Sequence, residues 1–163
     1  MESPRKDSIQ SIEAMAFFPT FVWKFAFNPE VFEPLNEQIK AKLGELLPED
    51  SPIPPSNVRQ TEQNLHTHDE LKTFTRHAEA ATRGVLDFMK VAYEFFASTG
   101  CWANVAIKGG CHKAHSHPNN FLSGVYYVQV PQGANTITFK DPVYSIRSWS
   151  LDSATWMSPT RAR

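Results

Sequence analysis

The sequence predicts an α+β fold in which two amphipathic helices pack on an antiparallel β-sandwich or jelly roll. Three observations point there. Between Trp102 and Phe139 short extended runs follow one another, separated only by turns rich in Gly, Pro and Asn, with no helical pattern among them. Ahead of them, two stretches carry apolar residues at intervals of three and four, the spacing of one helix face. The 163 residues, 41% hydrophobic and 20% charged, have the composition of one globular domain large enough for its own core.

In chain order, residues 1–15 are polar and read as a flexible N-terminus. From Phe17 to Phe27, Phe21, Trp23, Phe25 and Phe27 alternate with Thr20, Val22, Lys24 and Ala26, which predicts a half-buried strand with its aromatic row in the core. Asn28-Pro29 opens a helix over about 29–47, with Pro34 as a restart or kink. Leu35, Ile39, Leu43 and Leu46 form its apolar face, and Pro48 ends it. Glu49 to Arg59 is proline-rich and polar, the composition of a surface loop.

Thr67 and Glu70 have the spacing of a capping box. Leu71, Phe74, Ala78, Ala81, Val85, Met89, Ala92 and Phe96 then form one stripe, predicting a helix over about 69–98, interrupted near Gly84, that backs the sheet. Trp102 to Ile107 reads as a strand, Lys108-Gly109-Gly110 as a turn, and Cys111 to His117 as the next extended segment. Leu122 to Val130 carries the strongest β signal, and Thr136 to Phe139 follows a turn at Pro131 to Asn135 before Asp141-Pro142 stops it.

Composition excludes several function classes. A net charge of −1 without a basic cluster leaves no electrostatic footprint for nucleic acid or an anionic membrane. The N-terminus lacks the apolar centre of a signal peptide and no run reaches membrane-spanning length, so a soluble, cytoplasmic protein is expected. Two cysteines, Cys101 and Cys111, make no disulfide framework.

The chemistry concentrates at His115-Ser116-His117. On an extended backbone, residues two apart project to the same side, so both imidazoles can converge on one ion, and His112 falls opposite unless a bulge intervenes. Two neutral imidazoles suit iron, zinc, copper or nickel. Cys111 together with His115 and His117 is a rival zinc set. His66 and His68 repeat the His-x-His spacing in a polar helix start, where exposure or capping is the commoner role, and His77 reads as a surface or boundary residue. One of Tyr126 and Tyr127 must face the core, and Asn104 needs a polar partner in an otherwise apolar strand.

The string Trp102-Ala103-Asn104-Val105, a glycine turn, His115-Ser116-His117-Pro118, Leu122-Ser123-Gly124-Val125-Tyr126-Tyr127-Val128, Pro131-Gln132-Gly133 and Asp141-Pro142 resembles the 2-oxoglutarate/iron(II) oxygenase family common in marine phages and bacteria. More distantly it resembles the prolyl-hydroxylase-like oxygenases. The resemblance runs from about Ala16 to Pro142 and is close from Trp102 onward. It implies a double-stranded β-helix, a cupin-like jelly roll with helices on one side, as a single domain over 16–142. It makes His115 and His117 metal ligands, the second replacing the carboxylate of most relatives, and places Tyr127 and Asn104 at the 2-oxoglutarate. No catalytic residue beyond the metal ligands is implied.

The family pattern continues with a distal histidine and a cosubstrate-binding arginine. After His117 this sequence has no histidine, and Arg147, Arg161 and Arg163 lack the expected context. Residues 143–163 diverge from the family's closing strands, so the expectation is an incomplete jelly roll, truncated after about Pro142, whose open sheet edge favours a homodimer. The implied cofactors are Fe(II) and 2-oxoglutarate, and the implied reaction is hydroxylation of an unknown substrate, with a protein or peptide residue suggested by the prolyl hydroxylases. Two alternatives stand beside it: an impaired member serving as a metal-binding or interaction module, and a cupin-like domain with a structural zinc site.

Overall fold

A computed structural model of the chain describes residues 20–131, 136–140 and, as backbone only, 148–152. The expected features at residues 1–15 and 17–19, the turn at 132–135 and Asp141-Pro142 lie outside these. The elements run α1 (Pro29–Leu46), β1 (Val58–Gln60), two 3-10 turns (Leu65–Thr67 and Asp69–Leu71), α2 (Lys72–Phe88), β2 (Asn104–Ala106), β3 (Thr136–Lys140) and β4 (Ser148–Asp152).

Helix α1 forms as its sequence predicts. The Asn28 carbonyl accepts from the Val31 and Phe32 amides at 2.9 and 3.0 Å, while Pro29 occupies the first helical position, where a missing N–H costs no bond. Pro34 neither restarts nor ends the helix, which runs through it. Leu35 and Ile39, one turn apart, are buried and join Leu65 and Leu71 in the core, with Leu43, Phe74, Cys101, Ala103, Tyr126 and Val128 packed around them. Burying each such aliphatic side chain contributes about 1.5–3 kcal/mol, so this small cluster is what holds α1 to the rest. Outside it, Lys42 bridges Glu45 at 2.9 Å and Glu70 at 2.8 Å, tying α1 to the second 3-10 turn.

The helix expected over 69–98 is shorter. It begins as a 3-10 turn, and the capping box does not form: Thr67 Oγ1 donates to the Asn64 carbonyl at 2.8 Å instead. It ends at Phe88, not near Gly84 and not at Ser98. Lys90 adopts φ +54°, its amide bonds the Asp87 carbonyl at 3.1 Å, and the Val91 amide bonds the Leu86 carbonyl at 3.0 Å. That is a Schellman closure, which satisfies the last carbonyls and turns the chain away. A lysine stands where glycine usually marks such an end, so residue type does not signal the stop and the apolar stripe runs on past it.

The strand Trp102–Ile107 survives as β2, and its partner corrects a second expectation. Val58–Gln60, whose first two residues fall in the loop expected from composition, pairs antiparallel with it: Val58 with Ala106, Arg59 with Val105 and Gln60 with Asn104. The ladder is prolonged by Ile107 N–H to the Asn57 carbonyl (3.0 Å), Thr61 N–H to the Ala103 carbonyl (3.1 Å) and Leu65 N–H to the Cys101 carbonyl (3.0 Å). Val58 is buried, so the pairing brings an apolar side chain inward that the surrounding prolines concealed. At the turn after β2, Gly109 has φ +84°, and a Cβ on Gly110 would sit 2.3 Å from the Asn57 carbonyl oxygen.

Two other predicted strands are not assigned among the described residues. Residues 20–27 form no ladder: Phe21, Trp23 and Phe88 instead pack as a three-ring cluster with centroids 5.6–5.8 Å apart, and Phe27 lies against His77 and Tyr126. Leu122–Val130 also has no ladder partner there, because β propensity measures fit to a neighbouring strand and does not create one. Thr136–Phe139 does form a strand, β3, extended by Lys140 and paired antiparallel with β4 from Thr136 opposite Asp152 to Lys140 opposite Ser148. Strand β4 falls within the tail expected to diverge. The described residues thus hold two two-stranded sheets, whereas a jelly roll uses about eight strands.

Candidate metal centre

Residues 111–117 adopt no regular element, and the turn that follows is closed by the Asn120 amide on the His117 carbonyl with Asn119 at φ +66°. The segment thus pairs with no strand among the described residues. His112, expected on the opposite side, lines the same cleft as His115 and His117, and its ring lies 5.6 Å from that of His115. The cleft has a volume of about 270 Å³ and is otherwise lined by Gln60, Gln63, Trp102 and Ser116.

His115 Nδ1 lies 2.8 Å from the Lys113 carbonyl, which can only accept, so Nδ1 carries the proton and Nε2 presents a lone pair to the cleft. His117 Nε2 is 3.1 Å from that Nε2. With metal–nitrogen bonds of about 2.0–2.1 Å, two ligands at right angles on one ion stand about 3 Å apart, so the pair fits two adjacent coordination positions. With His115 in that tautomer, His117 Nε2–H is the donor of this contact, and ligation of an ion by both rings would need that proton to move to His117 Nδ1.

The Trp102 ring stacks obliquely on His117, 5.3 Å between centroids and inclined by 32°, so the start of the 101–107 segment positions the second imidazole. Gln60 and Gln63 come from β1 and its continuation, opposite β2. Sequence reading missed both, since only the register of a ladder spanning more than forty residues of chain brings them to the histidines.

The remaining candidates lie elsewhere. Asn104 is exposed in β2 and Tyr127 is half-buried, its phenol pushed up by burial, and neither lines the cleft. Tyr126 is the tyrosine that faces the core: its hydroxyl donates to Asn36 Oδ1 at 2.7 Å, Asn36 Nδ2 donates to the Val128 carbonyl at 3.0 Å, and burial raises its pKa. Both cysteines are free thiols. Cys101 is half-buried beside the core, where burial pushes its thiol up, and Cys111 is exposed and outside the cleft lining. His66 lies within the first 3-10 turn and His68 between the two.

Among the described residues, no three His, Cys, Asp or Glu side chains are placed to hold an ion together, and no helix is long and apolar enough to cross a membrane. No curated protein and no solved structure matches the chain. One family model does, described as "Putative 2OG-Fe(II) oxygenase", over residues 100–160. The matched segment contains His112, His115, His117 and Trp102, and extends past Pro142 through β4. The part of the chain that carries the histidine cleft is thus similar to the 2-oxoglutarate- and iron(II)-dependent oxygenases.

Proposed function

We propose that this chain is a 2-oxoglutarate- and iron(II)-dependent dioxygenase in which His115 and His117 are two of the metal ligands. The observation that carries the reading is the 3.1 Å approach of their Nε2 atoms inside a segment matched to that oxygenase family. Iron(II) and 2-oxoglutarate, when bound, would supply the oxidising chemistry with dioxygen as oxidant, one of its oxygen atoms going to the substrate C–H bond and the other to succinate as carbon dioxide is lost. The chain's own part is to hold and orient. The Lys113 carbonyl keeps His115 in the tautomer that offers Nε2, Trp102 fixes the plane of His117, and the Gln60 and Gln63 amides offer donors and acceptors along the wall.

In this proposal the fold is a double-stranded β-helix to which the described ladders belong, and its open edges favour a homodimer. The resemblance assigns Tyr127 and Asn104 to the cosubstrate and leaves the substrate unknown, with a peptidyl residue suggested by the prolyl hydroxylases. A second reading is a metal-binding module without turnover. It is favoured by the lack of a third donor placed on the ion among the described residues.

Anaerobic addition of iron(II) and then 2-oxoglutarate to the purified chain decides between them. The oxygenase reading expects a visible charge-transfer band that His117→Ala abolishes. Metal binding without the band supports the module, and no metal binding by folded protein rejects both.

A further inference from the structure

We infer that His112 is a third ligand, completing an all-imidazole metal site with His115 and His117. This rests on the metal reading of that pair and adds a donor to it. His112 shares their cleft, and its ring stands 5.6 Å from His115, while the His115 and His117 rings stand 4.9 Å apart. Imidazoles bound to one ion through bonds of about 2.0–2.1 Å have centroids roughly 4.5–5.6 Å apart as the ligand angle opens from square to trigonal. Both spacings fall within that range, with His115 central.

The three donor atoms do not converge as they stand. Convergence requires the His112 ring to turn, and His112 is an exposed side chain on a segment without regular structure. The cleft lining holds no carboxylate and no thiol, and its other polar members, Gln60, Gln63 and Ser116, are weak neutral donors. His112 is therefore the strongest remaining ligand within the cleft.

Three neutral imidazoles leave a divalent ion its full positive charge, whereas a carboxylate in the set would cancel part of it. Such a site attracts an anionic bidentate ligand, which suits a 2-oxo acid. The same ligand set accepts zinc, cobalt, nickel and copper as well as iron, so selectivity must come from elsewhere.

The test uses full-length protein freed of any histidine tag. Cobalt(II) affinity is measured by titration, and pulsed EPR of the copper(II) form counts coordinated imidazoles. The wild type is expected to show three, and His112→Ala two, with cobalt binding weakened at least about tenfold, since even changes behind a ligand cost that much. Cys111→Ser should match the wild type. If His112→Ala keeps wild-type affinity and count while His115→Ala and His117→Ala lose binding, the third ligand is wrong and the two-histidine reading stands. If none of the three variants changes cobalt binding, both fail. A loss with Cys111→Ser but not with His112→Ala would also overturn the assignment. Circular dichroism of each variant separates ligand loss from unfolding.

Discussion

Trp102 stacks on His117 with ring centroids 5.3 Å apart, so a large aromatic side chain at the start of one ladder strand sets the orientation of an imidazole fifteen residues later. A flat, apolar contact of this kind limits rotation of the imidazole without competing for its nitrogens. Trp102→Ala should weaken cobalt(II) binding about tenfold or more, while Trp102→Phe retains most of it. Copper(II) should also quench tryptophan fluorescence in the wild type far more than in Trp102→Phe. Equal quenching in the two would remove Trp102 from the site.

Tyr126 and Asn36 link the β-prone segment to α1 across ninety residues of chain. Tyr126→Phe keeps the ring against Phe27 and Phe74 but leaves Asn36 Oδ1 without its donor. The expected loss is about 1 kcal/mol, because the pair is only partly buried and water can replace the hydroxyl in part. Urea denaturation measures it, and a loss indistinguishable from zero would mean the hydrogen bond is not formed in solution.

Two glycines should respond oppositely to alanine. At Gly110 the new Cβ would meet the Asn57 carbonyl oxygen at 2.3 Å, backbone against backbone, so Gly110→Ala should destabilise by about 1–3 kcal/mol. Gly84 lies inside α2 with nothing near its Cβ position, and Gly84→Ala should stabilise by about 0.5–1 kcal/mol. Thermal melts of the two variants against the wild type give both signs in one experiment.

The Lys42–Glu70 contact should give a small, salt-sensitive pH dependence. Lys42, hydrogen-bonded to Glu70 and Glu45, has its pKa raised above 10.5, and the hydrogen bond from Lys42 lowers that of Glu70 below 4.5. The carboxylate's contribution is therefore present above 4.5 and fades as pH falls through the lowered value. The ammonium's is present below 10.5 and fades as pH rises through the raised one. Stability curves of the wild type and Glu70→Gln should differ most near neutrality and converge in strong acid and in high salt. A difference that survives high salt would show that Glu70 acts through packing.

Local patterns in this chain were legible wherever a structure closes on itself. Asn28-Pro29 opens α1 and the Leu35–Ile39 spacing chooses its buried face, because a helix makes its bonds within a few residues. The end of α2 was not legible, since Lys90 takes a left-handed conformation that its residue type does not advertise. The His115–His117 pair was singled out by its spacing, whereas the placing of His112 in the same cleft depends on the course of a segment that pairs with no strand among the described residues.

The sequence by itself determined the two helices, the histidine pair and the oxygenase-like string from Trp102, all of them encoded in neighbouring residues. Only the tertiary structure decided that Val58–Gln60 pairs with Asn104–Ala106, that Gln60 and Gln63 join the histidine cleft, and that Tyr126, not Tyr127, faces α1. A ladder's register depends on a partner remote in the chain, and a side chain's neighbours depend on that register, so neither can be read from a stretch considered alone.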